Sequence, residues 1–268
     1  MVHQLGVTPV RTVAAGSSQL LPVTPALGAV TALLLAAAVV VAGRGLLGYG
    51  HEVLRAGLRA VLQLGVVALV IAWVVGSLWT SALFVLLMFS VAVRTAGRRM
   101  TAGPDWVWAA VPIGAGVLPV LAVLLAGGLL PRQGLSVIPV AGILIGGALS
   151  ATSLAGRRAL DELRQRNGEV EAALALGFED RDARLEICRT AAATSLVPAL
   201  DQTRTVGLVT LPGAFVGMLL GGATPVQAGA VQLFVLVALL LVEAVAIVAV
   251  LELVGRGLVA HGGPGGVR

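Results

Sequence analysis

The sequence predicts an all-α integral membrane protein of about seven transmembrane helices with one amphipathic cytoplasmic helical segment. Of its 268 residues, 58% are hydrophobic and only 12% are charged. Several apolar runs approach the roughly 20 residues that an α-helix needs to cross about 30 Å of hydrocarbon. The only sizeable polar stretch, from Gly156 to Asp201, has helical periodicity. These three observations favour a helical bundle over a barrel of short alternating strands.

The apolar runs define one membrane domain with a tail at each end. Residues 1–25 form a mixed tail that we expect to be extracytoplasmic. The membrane domain, residues 26–254, includes the polar segment 156–201, and a glycine-rich cytoplasmic tail of residues 255–268 follows it. The predicted spans cover about residues 26–42, 56–75, 81–93, 107–125, 137–154, 205–222 and 226–253.

The arginines predict the orientation of the chain. When the loops alternate across seven spans, 16 of the 18 basic residues, all of them arginine, lie on the side of the polar segment. By the positive-inside tendency that side is cytoplasmic, with the N-terminus outside and the C-terminus inside. The all-arginine, Ala/Val/Gly-rich composition is typical of a GC-rich bacterial genome, which indicates the plasma membrane. Seven spans do not divide into two equal inverted halves, and this disfavours a symmetric secondary transporter.

Several functions are excluded by residues that the sequence lacks. Without a lysine the chain has neither the GK[ST] lysine of a P-loop nor an amine for a Schiff base, so it is not its own ATPase. The single cysteine, Cys188, excludes an internal disulfide, and the three histidines fall near the termini or in a loop. We therefore assign no catalytic residue, metal site or bound cofactor. The arginines lie beside apolar runs, which favours membrane orientation over nucleic-acid binding as their role.

The predicted sixth span, within the stretch from Asp201 to Pro225, combines an internal Pro212 with glycines at helical spacing. The three glycines lie four residues apart on one helical face: Gly213, Gly217 and Gly221. Small residues let helix backbones approach closely in lipid, and proline frees a backbone carbonyl. We expect a kinked, tightly packed helix beside a pathway, with an ordinary packing helix as the alternative. Asp201 is expected to begin this span, and Thr210 to bond back to its own helix.

Two further polar residues fall within predicted spans. Glu243, in the middle of the last span, is the only clearly intramembrane acid. Because ionisable residues at that depth usually face a cavity or a partner, a functional role is expected, with a structural pairing to arginine as the alternative. Gln63 either lines a pathway or bonds across helices, and the second interpretation is slightly favoured.

The polar segment is predicted to form two helices separated near Gly177. The first covers about Asp161 to Leu176, where Glu162 and Arg166 are spaced for an i, i+4 ion pair. Gly177 is expected to end it in the left-handed conformation. The second begins near Asp180 and runs towards Pro198. On periodicity alone, the polar segment is predicted to be a solvated amphipathic hairpin.

Residues 171–177, EAALALG, resemble the EAA loop of ABC transporter permeases. The residues that match this motif are Glu171, Ala172, Ala173, Leu174 and Gly177. Together with the later VGLVTLPGAFVGMLLGGATPVQAGAVQL, they make the chain similar to the FetB-type permease family, the membrane subunits of iron-export ABC transporters, to which plant aluminium-tolerance half-transporters are also similar. The resemblance extends from Arg55 to Leu240. It departs from the family pattern GMxxGNxM in the fifth span, where Ile143 replaces the methionine and Gly147 the asparagine.

The resemblance implies a permease subunit that couples through the EAA-like loop to a separate cytoplasmic ATPase, which would bind ATP and Mg²⁺. It also implies a second permease copy in the lipid bilayer and export of iron or another metal species. Two other classes remain open on the residues alone. One is an ATP-independent ion-coupled transporter or channel that uses Glu243. The other is a membrane scaffold whose polar segment recruits a cytosolic protein.

Overall fold

The computed structural model describes residues 23–45, 48–131 and 133–260, and it is built of helices. Six helical stretches are long and apolar enough to cross a membrane: Pro25–Arg44, Gly50–Val75, Leu78–Met100, Pro104–Ala126, Ser136–Gln165 and Pro225–Gly255. The predicted all-α membrane fold is confirmed. The predicted N-terminal tail up to residue 22 and the end of the C-terminal tail, from residue 261, lie outside the described residues.

The chain divides into two compact units, residues 1–69 and residues 70–268. The described part of the first unit is a hairpin of α1 (Pro25–Arg44) and most of α2 (Gly50–Val75). Glycines bring the two helices together, because a Cβ added at Gly50 would lie 3.0 Å from the Cα atom of Gly43. The connection between the first two spans is shorter than predicted, because α1 continues to Arg44 and α2 already begins at Gly50.

The second unit is built around four long helices. They are α3 (Leu78–Met100), α4 (Ala110–Ala126, preceded by a 3-10 turn at Pro104–Ala109), α5 (Gly134–Gln165) and α10 (Pro225–Gly255). Their core is lined by small and branched side chains, among them the fully buried Ile113, Ala148 and Val242. A Cβ added at Gly116 would lie 2.7 Å from the carbonyl oxygen of Val242, so α4 and α10 touch backbone to backbone. This is the packing expected where small residues replace water exclusion as the source of helix association.

The fifth predicted span is longer than expected. The sequence predicts that it ends near residue 154 and that a separate helix covers Asp161 to Leu176, but α5 continues without interruption to Gln165. Gly156 lies within this helix and packs beneath the sulfur of Met100. At 32 residues, α5 is about 48 Å long and projects beyond the hydrocarbon. The break falls at Arg166, with φ −114° and ψ 33°, and α6 (Asn167–Ala175) begins there.

After α6, the polar segment continues in α7 (Asp180–Ala193), which starts where the sequence predicts. A 3-10 turn at Thr194–Leu196 leads into α8 (Val197–Thr205). The next apolar helix is α9 (Gly213–Leu220), which is only 8 residues long.

The prediction of one continuous sixth helix over residues 205–222 is wrong. Between α8 and α9 the chain forms a turn in which Gly207 has φ +82°. After α8 ends at Thr205, the carbonyl of Thr205 accepts from the backbone N–H of Val209 at 2.9 Å and closes this turn. Pro212 then has extended backbone and lies immediately before α9. Proline has no N–H and disfavours helical backbone in the residue before it, so it separates two helices instead of kinking one.

These two short helices nevertheless carry the chain from one end of the second unit to the other. The Thr101 hydroxyl, after α3, donates to the Ala260 carbonyl, after α10, so both helices finish at the same end. We call this the arginine-rich end, because Arg98 and Arg99 lie in the last turn of α3 and Arg256 follows α10. Leu185 of α7 lies there against Gly255. Because α10 is one helix of 31 residues, its first residue, Pro225, lies at the opposite end. The chain from α8 to α9 is therefore a discontinuous crossing, and the expected number of about seven spans is retained.

Candidate functional site

The EAA-like residues lie at the tip of a hairpin formed by α6 and α7. Gly177 has φ +94°, which confirms the left-handed conformation predicted for it. The N–H of Gly177 donates to the carbonyl of Leu174 at 2.9 Å, and the N–H of Phe178 donates to that of Ala173 at 3.1 Å. This pair of hydrogen bonds is a Schellman motif. It turns the chain sharply at the end of α6, so the tip is formed by backbone geometry.

The hairpin has a small apolar core of its own. Val170 of α6 and Ala183 and Ile187 of α7 are buried together, with Ala173 packed against them. The opposite face of the tip is apolar but uncovered, because Leu176 is 80% exposed and Phe178 is 50% exposed. Single exposed apolar residues need no explanation, but these two lie on either side of Gly177 at the tip of the hairpin.

Of the other motif residues, Glu171 and Ala172 are exposed on α6, and Leu174 is 37% exposed. Glu171 accepts a hydrogen bond from the side-chain amide of Asn167 at 2.7 Å. The two residues lie one turn apart on the outer face of α6. The second carboxylate oxygen of Glu171 has no hydrogen-bond partner among the described residues.

Arg166 braces the corner where α5 ends and α6 begins. Its guanidinium contacts the carboxylate of Glu162 at 3.0 Å, which confirms the ion pair predicted from the i, i+4 spacing, and it donates to Glu169 at 2.7 Å. The hydrogen bond to Glu169, followed by that to Glu162, raises the pKa of Arg166. The same bond lowers the pKa of Glu169. The corner therefore holds two carboxylates against one guanidinium across the break in the helix.

The first turn of α7, next to the hairpin tip, is joined to the end of α10 by charges that sequence reasoning missed. Arg181 donates to both oxygens of Glu252, at 2.9 and 2.7 Å, although the two residues are 71 positions apart. Arg256 donates to the same carboxylate at 2.6 Å. The hydrogen bonds to Glu252 raise the pKa of Arg181. No periodic pattern in the sequence links residues at this separation.

Glu243 lies in the middle of α10, where the sequence places it, and is partly buried. No hydrogen bond or ion pair to its carboxylate occurs among the described residues, so the alternative of an arginine partner is not met there. Its carboxylate lies over α5, because a Cβ added at Gly147 would be 2.9 Å from Oε1 of Glu243. The structure thus brings the unpaired acid to the position where this chain lacks the asparagine of the family pattern.

The other candidate residues are not gathered at one site. Gln63 is exposed on α2 in the first unit. Asp201 does not begin a span; it lies inside α8, where its carboxylate is 3.5 Å from the guanidinium of Arg204. The expected bond from Thr210 back to its own helix is wrong, because Thr210 lies outside the helices and is exposed in the turn; its carbonyl accepts from the N–H of Gly207 at 2.8 Å.

The tight packing expected for the glycine face of the sixth span is not found within the described chain. A Cβ added at Gly213 or Gly217 would meet no atom within 4 Å. At Gly221 it would meet only carbonyl oxygens of the same helix, at 3.4 Å. The break in the crossing is also open, since Leu208 is 92% exposed. That expectation was wrong for the isolated chain, because Gly213 and Gly217 lie in a short helix with open space beside them and Gly221 follows that helix.

Comparison with known proteins gives one family. A family model described as "Uncharacterised protein family (UPF0014)" matches residues 26–259. The "UPF0014 membrane protein STAR2" of Oryza sativa subsp. japonica is 37% identical over 71% of this chain and 68% of its own. "Protein ALUMINUM SENSITIVE 3" of Arabidopsis thaliana is 36% identical over 66% of each chain. The "Probable iron export permease protein FetB" of Escherichia coli is 28% identical over 77% and 81%. No solved structure matches the chain.

Proposed function

Because the chain belongs to the UPF0014 family of membrane proteins, we propose that it is the permease subunit of an ABC transporter whose ATPase is a separate cytoplasmic polypeptide. The observation that carries this proposal is the exposed apolar tip of the α6–α7 hairpin, formed by Leu176 and Phe178. The tip lies beyond the arginine-rich end, which the positive-inside tendency assigns to the cytoplasm. Its two exposed apolar side chains would be covered by a groove on a soluble partner.

The hairpin is suited to transmit motion because it is stiff at three points. The Schellman motif at Gly177 fixes the tip, the Val170 cluster fixes the two helices to each other, and Arg166 braces the corner with α5. A force on the tip would move α6 and α7 together. Packed helices with discrete arrangements carry such coupling between distant sites.

The partner would hold the nucleotide. A P-loop places a lysine on the β- and γ-phosphates, and no lysine occurs in these 268 residues. We therefore assign ATP and Mg²⁺ to the partner and to this chain only the transport pathway. In this assignment the hairpin tip is the place where the ATPase cycle meets the membrane subunit.

For the substrate we propose a metal species moved outward, iron being the first to test because one relative is named as an iron export permease. Glu243 supports a cationic substrate, since it places an unpaired carboxylate in the middle of α10. An acid at that depth is expensive and usually marks an ion pathway. Carboxylate oxygens are suitable ligands for hard metal ions.

We further propose that two copies of the permease associate in the plasma membrane, each with its N-terminus outside and its C-terminus in the cytoplasm. Support comes from the discontinuous crossing, whose turn exposes Leu208 and Val209. Non-helical backbone at membrane depth is tolerated only where protein covers it or where it lines water. A second permease against Gly213 and Gly217 would supply that cover.

The proposal is tested by purifying the tagged protein from its native membrane in mild detergent and identifying the ATP-binding subunit that accompanies it. We expect the paired change Leu176→Ser and Phe178→Ser to abolish co-purification, because it removes the apolar tip without disturbing the hydrogen bonds of Gly177. Leu258→Ser is the matched control, since Leu258 is also exposed at the arginine-rich end but lies outside the hairpin. Equal recovery of the ATPase with both variants, or no ATPase with the unmodified protein, would overturn the proposal.

One observation favours a second function, an ATP-independent ion-coupled transporter, and that is the missing partner of Glu243. In such a protein Glu243→Gln abolishes transport in vesicles that contain no ATP. Transport that instead requires ATP inside the vesicle excludes this function. A scaffold would carry no substrate under either condition.

A further inference from the structure

The arginine-rich end contains a charge cluster that joins the hairpin to α10. Glu252, near the end of α10, accepts from Arg181 of α7 at 2.7 and 2.9 Å and from Arg256 at 2.6 Å. The arrangement of Arg181 is bidentate, with one nitrogen on each carboxylate oxygen. A bidentate guanidinium fixes direction as well as distance, which a single contact does not.

Packing beside these charges repeats the same link. Leu185, one turn along α7 from Arg181, lies against Gly255, where an added Cβ would be 2.9 Å from its Cγ atom. The guanidinium of Arg184 lies over Gly257, 2.5 Å from the position of an added Cβ. Gly257 has φ +68°, so the chain after α10 turns at a residue that only glycine adopts easily. Two glycines therefore let α7 press onto the end of α10.

We propose that Arg181, Glu252 and Arg256 form a positioning clasp that makes the α6–α7 hairpin and α10 move as one body. The proposal rests on the function proposed above, in which the tip of the hairpin receives the ATPase. Movement of the tip then turns or shifts α10 as a rigid rod. Glu243 lies nine residues before Glu252, about 14 Å along the same helix. The clasp thereby connects the ATPase contact to the unpaired acid.

The first experiment measures the clasp in the permease alone. Spin labels on Thr190→Cys and Val248→Cys report the distance between α7 and α10, because both positions are exposed and the native Cys188 is fully buried. We expect one narrow distance distribution that broadens when Glu252→Ala is added. The matched control is Glu186→Ala, which breaks the Glu186–Arg189 pair within α7. No broadening with Glu252→Ala, or equal broadening with Glu186→Ala, would overturn the clasp.

The second experiment measures coupling as substrate moved per ATP hydrolysed in reconstituted vesicles. We expect Arg181→Ala and Glu252→Ala each to lower that ratio by roughly 2- to 30-fold, the range for residues that carry coupling without touching a ligand. The double variant should lose no more than either single change, because both remove the same interaction. Recovery of the ATPase on purification should stay at the unmodified level. Additive losses would show that the two residues act independently.

A disulfide between α7 and α10 replaces the clasp by a covalent link. The Cγ of Leu185 is 2.9 Å from a Cβ added at Gly255, close to the distance of about 3 Å between a sulfur and the far Cβ when the S–S bond is about 2.04 Å. Oxidation of the pair Leu185→Cys and Gly255→Cys should restore coupling in a protein that also carries Glu252→Ala. In a protein that keeps Glu252, the same oxidised pair should leave coupling unchanged. Coupling lost on oxidation would show that α7 must slide on α10. If no ATPase binds the unmodified protein, the proposed function fails while the spin-label distances still decide the clasp.

Discussion

Replacing Gly177 with alanine tests whether the hairpin tip depends on one left-handed residue. A Cβ at Gly177 would meet no atom within 4 Å, so the effect of the change is confined to the backbone at φ +94°. The left-handed conformation costs alanine about 1–2 kcal/mol. The stiffer unfolded chain of alanine offsets about 0.4–1 kcal/mol of this. The net loss is about 1 kcal/mol, a factor of roughly five in the equilibrium that closes the tip.

Hydrogen exchange of the Gly177 and Phe178 amides measures this equilibrium directly, because both donate in the Schellman motif. We expect their exchange to rise by roughly fivefold, with a parallel fall in affinity for the proposed ATPase partner. Gly168→Ala is the control, since Gly168 lies within α6, also without a neighbour within 4 Å, and has no positive φ. Alanine there should strengthen the helix by about 0.5–1 kcal/mol. If Gly177→Ala and Gly168→Ala give the same amide exchange at the tip, the left-handed conformation of Gly177 does not stabilise the tip.

Three more predictions follow from single residues. Glu243→Gln should reduce transport by roughly tenfold or more while ATPase recovery is unchanged, because the proposed pathway loses its acid and the hairpin tip is kept; normal transport would remove Glu243 from the proposed pathway. Gly217→Leu should weaken association of two permease copies in detergent, measured by cross-linking, and unchanged association would show that this face has no close partner. Burial raises the pKa of the Cys188 thiol to about 11, so we expect almost no alkylation at pH 8 and complete alkylation after denaturation. Rapid labelling of the folded protein would contradict the packing of α7.

Features determined by a few neighbouring residues could be predicted from the sequence. The last span, predicted over residues 226–253, is observed as Pro225–Gly255, and its start is fixed by a capping box in which Thr224 and Gln227 bond to each other's backbone. Gly177 and the Glu162–Arg166 pair were equally local. The family resemblance based on the EAALALG stretch is confirmed over most of the chain by the match to residues 26–259.

Continuity of the sixth span could not be predicted from its hydropathy. A hydropathy average is insensitive to order, whereas one residue with positive φ or one proline ends a helix. Gly207 and Pro212 do so within six residues, and the apolar side chains between them, such as Leu208, do not form a helix. Six helices are long enough to cross and the discontinuous crossing brings the number to about seven, because the number depends on the average; the continuity was wrong because it depends on Gly207 and Pro212. Discontinuous helices are also where transporters commonly bind their substrates, so this error lies at a place of functional interest.

The carboxylate of Glu243 lies where a side chain at position 147 of α5 would be. From the sequence, glycine at position 147 removes a polar group from the fifth span. In the structure the missing side chain leaves the space that the Glu243 carboxylate occupies, with Oε1 2.9 Å from where a Cβ would be. Polarity at this depth is therefore supplied by α10 and not by α5. Gly147→Asn would put an amide and the carboxylate in the same volume, so it should displace Glu243 instead of adding to it, and transport should fall as it does in Glu243→Gln. Equal transport in Gly147→Asn and the unmodified protein would show that the two positions do not compete.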